Sequence, residues 1–443
     1  MPLLRILMLL KIPRGVVMAN KILKPSRYNY AGHLTNGTVL AVNFLTSAVL
    51  NMSRDDYNRL NAMSVTKEEE EVLSANGFYV AEDEDELAKV VALRNANNFS
   101  SSQVSFQILP TTLCNARCFY CYEEGFNPCS FDEKHENELV AFIERTMQAA
   151  QKLHITWFGG EPLLRPDFIE RVSMRLMESA DSRGIAFEGD VITNGSLVTD
   201  EVAKLLKRCR VRNAQITLDG TNEEYQRRKS YLDSSITLDD VLGSIERLLD
   251  NEIAVSVRLN MDKRNHEDLL SLIPLLGARF AQNDFFSAHV APLYSLSADN
   301  FCYESEELAE AYKPILRAMI DAGLIRSLNG LPLNFNNASC CAQGINNFCI
   351  SPEGFISKCD HLIGDPGDRI GSLSEGVAFN GSAAFWAQTS IPDQCRECVF
   401  LPTCQTGCYA GEKMGFGYGR CPYIKFIYEA VFDAASYLIE RNM

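Results

Sequence analysis

Cys114-Asn115-Ala116-Arg117-Cys118-Phe119-Tyr120-Cys121 sets three thiols on one short stretch, with three residues and then two between them. The stretch follows the apolar run Val104-Ser105-Phe106-Gln107-Ile108-Leu109, which reads as a strand. A cubane iron–sulfur cluster takes Cys thiolates, usually four. Three thiols on one loop can hold three irons and leave the fourth open to a small chelating ligand. A structural zinc site is the competing reading, but such sites want four ligands in paired spacing and this loop supplies three. Unpaired core cysteines are the plain alternative.

Short motifs end the apolar runs that follow. His154–Phe158 runs into Gly159-Gly160-Glu161-Pro162. Glycines at a strand end let the backbone approach a ligand closely, although a tight strand-to-helix turn uses them equally well. Thr193-Asn194-Gly195 ends the third run, Thr217-Leu218-Asp219-Gly220 ends the fourth, and Asn260 follows the fifth. With the three-Cys loop and the aromatic Tyr120 before its last Cys, this series resembles the signature of the radical S-adenosylmethionine (SAM) enzymes. The resemblance implies that Cys114, Cys118 and Cys121 ligate a [4Fe–4S] cluster. It implies that Gly159, Gly160, Glu161 and Pro162 form the GGEP element that holds the amino group of SAM. Tyr120, Asn194, Thr217 (where the family has Ser) and Asn260 become further candidate SAM contacts.

The second cysteine group is Cys395-x2-Cys398-x5-Cys404-x3-Cys408 followed by Cys421. Upstream stand Cys341 and Gly354-Phe355-Ile356-Ser357-Lys358-Cys359. This arrangement is similar to the SPASM domain, which holds two auxiliary [4Fe–4S] clusters. The resemblance assigns Cys395, Cys398, Cys404 and Cys421 to the outer one, and Cys341, Cys359 and Cys408 to the inner one. The fourth inner ligand is Cys340 or Cys349. Cys349 reads equally well as a buried structural thiol, since it sits in a strand-like run before Ser351-Pro352-Glu353-Gly354. A zinc ribbon is the alternative for the paired cysteines. Cys129, Cys209 and Cys302 are isolated and read as buried, non-ligand thiols. Asp360 directly follows Cys359. In anaerobic sulfatase-maturing enzymes an Asp in this place is a candidate general base, and a carboxylate beside a cluster could accept a proton as a substrate radical is oxidised. A solvated loop Asp is the other reading.

The elements that must position these groups change character near residue 104. Six apolar runs, Val104–Leu109, His154–Phe158, Phe187–Ile192, Asn213–Leu218, Ala254–Leu259 and Phe286–Val290, alternate with helical stretches at Glu133–Gln151, Asp167–Arg183, Asp200–Arg208, Leu238–Asn251 and His266–Ala278. Such alternation argues for an α/β fold with a parallel sheet of βα units. The family resemblance implies a partial (β/α)6 TIM-like barrel over 101–295, with chemistry at the C-terminal ends of its strands. Residues 1–100 read as a separate winged-helix-like module. It has a hairpin around Asn36-Gly37, helices capped by Ser53 and Thr66, a strand at Phe78-Tyr79-Val80 and an acidic helix from Asp83 to Leu93. Residues 94–103 read as a polar linker. Residues 296–338 form a connecting segment with one helix, Ser305–Ala322, and 339–443 form the Cys-rich domain ending in an amphipathic helix from Tyr423 to Glu440. Residues 1–17 read as a frayed extension, with Met1 and Met18 as alternative starts.

The 443 residues carry a net charge of -15 and no Lys/Arg-rich run, which argues against nucleic-acid binding through phosphates. Met1–Gly15 is apolar but too short to span a membrane. Fifteen cysteines without a secretion signal suit metal ligation in a reducing, cytoplasmic setting. The resemblance implies three [4Fe–4S] clusters plus SAM, cleavage of SAM to a 5′-deoxyadenosyl radical, and an electron donor such as a flavodoxin or ferredoxin. The leading expectation is a peptide maturase that crosslinks a precursor peptide (leader plus core), by thioether or carbon–carbon bond. Oxidation of Cys or Ser to formylglycine on a sulfatase is the alternative, and a non-catalytic iron–sulfur sensor is the reading from another class.

Overall fold

The computed structural model describes residues 5–7, 22–294, 301–333, 340–414 and 421–441. Met1 and Met18, most of the expected extension and the two ends of the connecting segment lie outside them.

The amino-terminal module is built from β1 (Arg5–Leu7), β2 (Leu23–Pro25), β3 (Asn29–His33), β4 (Val39–Asn43), β5 (Ala48–Met52), α1 (Arg54–Asn61), α2 (Lys67–Ala75), β6 (Tyr79–Ala81) and α3 (Glu86–Asn98). Strands β3, β4 and β5 form an antiparallel meander, and the expected extension contributes β1, which pairs with β5. Gly37 turns the β3–β4 hairpin at a φ of 85°, a conformation that suits glycine. Ser53 caps α1, and Thr66 with Glu69 makes a full capping box on α2. One face of the meander packs on α1 and α2 through Val39, Ala41, Leu50 and Met52. The other face carries Leu40, Val42, Phe44 and Val49 into the main core of the molecule. The polar linker is not found: α3 continues to Asn98 and the next strand starts at Gln103. Arg94 is the reason, because its buried guanidinium donates to the carbonyl of Thr389 and to the Tyr409 hydroxyl, each at 3.0 Å.

The parallel sheet holds β7 (Gln103–Ile108), β8 (Lys152–Trp157), β9 (Ala186–Thr193), β10 (Val211–Leu218), β11 (Ala254–Met261) and β12 (Phe286–Pro292) in sequential order. These are the six strands read from the sequence. Helices α4 (Glu133–Thr146), α5 (Pro166–Ser182), α6 (Asp200–Arg208), α7 (Asn222–Lys229), α8 (Leu238–Asp250) and α9 (His266–Phe280) lie between them. The strands alternate buried and part-exposed residues. Apolar side chains such as Phe106, Ile155, Val191 and Val257 face the core, and polar ones occupy the opposite face. There His154 meets Asp190 at 3.1 Å, Lys152 meets Glu188 at 2.6 Å and Ser256 meets His289 at 3.3 Å.

Beyond α10 (Leu308–Asp321), the Cys-rich region extends the same sheet. β13 (Asn347–Ile350) pairs parallel with β7, and β14 (Phe355–Ser357), β15 (Gly371–Ser372) and β16 (Gly376–Val377) add on antiparallel to make ten strands. The final helix runs Tyr428–Arg441, after a 3-10 turn at Tyr423–Phe426. Gly32 on β3 lies against its Phe432, so near that a Cβ would meet the ring at 2.6 Å.

Candidate functional site

The three-Cys loop leaves the C-terminal end of β7 and is held from three sides. From β8, the Gly160 amide donates to the Thr111 carbonyl at 3.2 Å, and the Glu161 amide to the Leu113 carbonyl at 2.8 Å. A Cβ on Gly160 would stand 2.3 Å from the Leu113 oxygen, and Gly159 has a φ of 113°. Both glycines therefore serve the close approach of the three-Cys loop itself. From β9, the Asn194 amide side chain donates to Asn115 at 2.8 Å. From α7, the Lys229 carbonyl accepts the Arg117 amide at 2.9 Å.

Glu161 is fully buried and accepts from Leu163 N at 3.0 Å, Thr193 Oγ1 at 2.7 Å and Asn194 N at 2.9 Å. Its carboxylate thus joins two strand ends. Tyr120 donates to Asp219 at 2.6 Å. Thr217 is half-buried on the polar side of β10, next to Arg258 of β11 in register. Asn260 is buried and accepts from Arg258 Nε at 2.9 Å.

Burial pushes the Cys114 thiol up to about 11, with Glu161, Cys118 and Glu123 adding to the rise. Burial pushes Cys121 up to about 12, with Glu123, Cys118 and Cys114 adding. The three thiols therefore lie within electrostatic reach of one another and resist ionisation until a cation shares their charge. That suits a cluster, which needs thiolates and brings positive iron to them.

The carboxy-terminal cysteines fall into two neighbourhoods. Burial pushes Cys404 up to about 12, and Cys421, Cys395 and Cys398 all contribute, so these four lie together. Cys359 is raised by burial, then by Asp360, Cys341 and Cys408. Cys340 and Cys341 share a hydrogen bond that pushes Cys340 up and Cys341 down. Cys349 is buried on β13, donating to Gln107 Oε1 at 3.0 Å, and still feels Cys341 and Cys359. Both candidates for the fourth inner ligand therefore border the same neighbourhood. A cavity of about 480 Å³ opens beside it, lined among others by Gln107, His154, Cys341, Cys349 and Lys358. Among the described residues, no three His, Cys, Asp or Glu side chains are drawn together tightly enough to grip a single metal ion. Of the isolated cysteines, Cys209 is buried while Cys129 and Cys302 are half-buried.

Asp360 lies between the two cysteine regions. It helps raise Glu123, whose pKa goes from 4.5 to about 8, chiefly through burial, and it acts on Tyr122 and Cys359. Beside it, His361 stacks on Tyr122 at 4.2 Å and meets the Tyr294 hydroxyl at 3.3 Å. Glu123, Tyr122, His361, Tyr294, Arg258 and Lys229 were not singled out from the sequence, and Asp219 was named only within the Thr217–Gly220 motif. Arg258 carried a signal, as the charge in the alternating Ser256-x-Arg258-x-Asn260 pattern. Lys229 carried none, because Arg227-Arg228-Lys229 reads as an ordinary basic helix end.

Residues 108–276 match the Radical SAM superfamily. The chain carries a radical SAM domain. The serine-type anaerobic sulfatase-maturating enzyme of Klebsiella aerogenes is 25% identical over 334 residues, covering 70% of this chain and 81% of that protein. Native anSMEcpe with bound AdoMet and Cp18Cys peptide shares the fold with a TM-score of 0.58 at 16% identity, covering 76% of this chain and 98% of that one. SuiB of Streptococcus suis bound to precursor peptide SuiA does so with a TM-score of 0.51 at 13% identity, covering 88% and 97%. A radical SAM domain implies a [4Fe–4S] cluster and SAM, and the donor set of the Cys114–Cys121 loop fits that cluster. Among the described residues no helix is long and apolar enough to cross a membrane.

Proposed function

We propose that this radical SAM enzyme is a SPASM-type maturase that crosslinks a ribosomally made precursor peptide. The observation that carries the reading is the module before residue 100, a strand meander with helices standing ahead of the cluster loop. The likeness to SuiB spans more of this chain than the likeness to anSMEcpe, 88% against 76%, and SuiB is bound to a precursor peptide. In this reading the module is winged-helix-like, takes the leader, and leaves the core peptide to reach the mouth of a partial (β/α)6 barrel in residues 101–295. Residues 296–338 connect that barrel to an auxiliary domain in 339–443. Holding the leader raises the local concentration of the core segment through tether length.

When bound, the cluster and SAM supply the radical that removes a hydrogen atom from the substrate. Cys114, Cys118 and Cys121 would hold that cluster, Gly159, Gly160 and Glu161 keep its loop seated, and the Gly159–Pro162 element would meet the amino group of SAM. Tyr120, Asn194, Thr217 and Asn260 are the polar groups offered to SAM. Cys395, Cys398, Cys404 and Cys421 would hold an outer auxiliary cluster. Cys341, Cys359, Cys408 and either Cys340 or Cys349 would hold an inner one. Asp360 would take the proton released as the substrate radical is oxidised. A flavodoxin or ferredoxin in the cytoplasm would supply the electron.

Sulfatase maturation is the second reading. It is favoured by the carboxylate of Asp360 next to Cys359 and by the sequence likeness to a sulfatase-maturating enzyme. Mass spectrometry separates the two. The anaerobically reconstituted enzyme is given a peptide encoded beside it and, separately, a sulfatase-derived Cys peptide. Crosslinking removes hydrogen and keeps every sulfur, whereas formylglycine formation from Cys removes the sulfur. Turnover of the sulfatase peptide alone would overturn the crosslinking proposal.

A further inference from the structure

Asp219 closes β10 and Lys229 closes α7, so two distant chain positions meet behind the cluster loop. Lys229 Nζ stands 2.9 Å from Asp219 Oδ2, with side chains 3% and 0% exposed. Tyr120 joins them from the loop, donating to the same carboxylate oxygen at 2.6 Å and accepting from Lys229 Nζ at 3.2 Å. The main chain of Lys229 grips the loop as well. Its carbonyl accepts the Arg117 amide at 2.9 Å, and Cys118 Sγ lies 3.9 Å from the same oxygen. Asp219 Oδ1 is buried and makes no hydrogen bond among the described residues.

Stability does not account for such a pair. A buried ion pair is often no more stabilising than packed apolar side chains of the same volume. What it does provide is two fixed, opposite charges in a low-dielectric site, where they act strongly on a neighbouring charge. Reduction adds one electron to a cluster, and its potential follows local charge, hydrogen bonding and burial. The ammonium favours the added electron and the carboxylate opposes it.

We propose that Asp219 and Lys229, tied to the loop by Tyr120, are positioning residues that set the reduction potential of the SAM-binding cluster. The inference rests on Cys114, Cys118 and Cys121 as its ligands. Lys229→Met, Asp219→Asn and the double variant would be made in the full chain with every cysteine intact. Iron analysis first shows that the cluster is present, identified by the EPR signal that changes when SAM is added. Potentiometric titration of that signal is the readout. Lys229→Met is expected to lower the potential, Asp219→Asn to raise it, and the double variant to return towards the native value. A structural role alone would change cluster content without opposite shifts. Shifts of one sign, or none, in variants that carry the cluster would overturn the proposal. If Lys229→Met takes up no cluster, the nearly isosteric Asp219→Asn decides: a raised potential supports the proposal and an unmoved one overturns it. Should the SAM-responsive signal survive conversion of all three loop cysteines to alanine, the ligand assignment itself fails, which is a separate outcome.

Discussion

Glu161 sits at the centre of the loop's support, and its partners change what its substitution should do. As a SAM contact alone it would affect binding and little else. Its carboxylate instead accepts from Leu163, Thr193 and Asn194. Hydrogen bonds to a charged group contribute roughly 1.5–3 kcal/mol, and a buried donor left without its acceptor costs a similar amount. Glu161→Gln should therefore destabilise the fold by about 2 kcal/mol, read as an earlier denaturant midpoint in the cluster-free chain. An unchanged midpoint with weakened SAM binding would return Glu161 to a purely ligand-facing role. The cysteines give a second prediction. Replacing Cys114, Cys118 and Cys121 with alanine should remove about four of about twelve irons and abolish SAM cleavage, on the expectation of three cubanes. Zinc in place of the remaining iron would mean a zinc-bearing C-terminal domain. The three thiols were legible in sequence because one loop carries them at fixed spacing. Lys229 was not, because it reaches the site from another element and only folding makes it a neighbour.

At the scale of elements, the parallel strands and most helices could be read from periodicity, since each buries one face on a sheet. The short polar stretch after residue 94 could not. Asn and Ser composition suggests a linker, but Arg94 turns inward and keeps α3 helical to Asn98. Nor could the joining of β13 to β7 be read, because pairing between strands so distant in sequence leaves no local pattern. The turn after β8 carries the element-scale prediction. Gly160 has no room for a methyl group, since the added carbon would lie 2.3 Å from a backbone oxygen of the cluster loop. Gly160→Ala must push that loop away from β8. The expected result is loss of about four irons at the SAM site, with the auxiliary EPR signals kept. Full iron content and normal SAM cleavage would show that the loop relocates without harm.

Over the whole molecule, the amino-terminal module is not an appendage. Tyr30 packs with Phe400, Tyr428 and Phe432, and Phe44 with Phe400 and Tyr428, at centroid distances of 4.9–5.8 Å. Phe400 lies between Cys398 and Cys404, so the module braces the segment that carries those two cysteines. Arg94 braces the same domain at Tyr409, one residue after Cys408. Truncating a large buried aromatic costs about 3–5 kcal/mol, and removing the module strips several such contacts at once. Deleting residues 22–98 should therefore lower auxiliary iron and the thermal midpoint together, as well as any affinity for a precursor peptide. Phe432→Ala, which keeps the whole module, should lower the midpoint in the same direction by a smaller step and leave the surface proposed to take the leader in place. If peptide affinity survives Phe432→Ala while the midpoint falls, bracing and leader binding are separate properties of one module. If the deleted chain keeps its full iron and its midpoint, the aromatic contacts hold nothing that the auxiliary domain needs, and the module acts through the peptide alone.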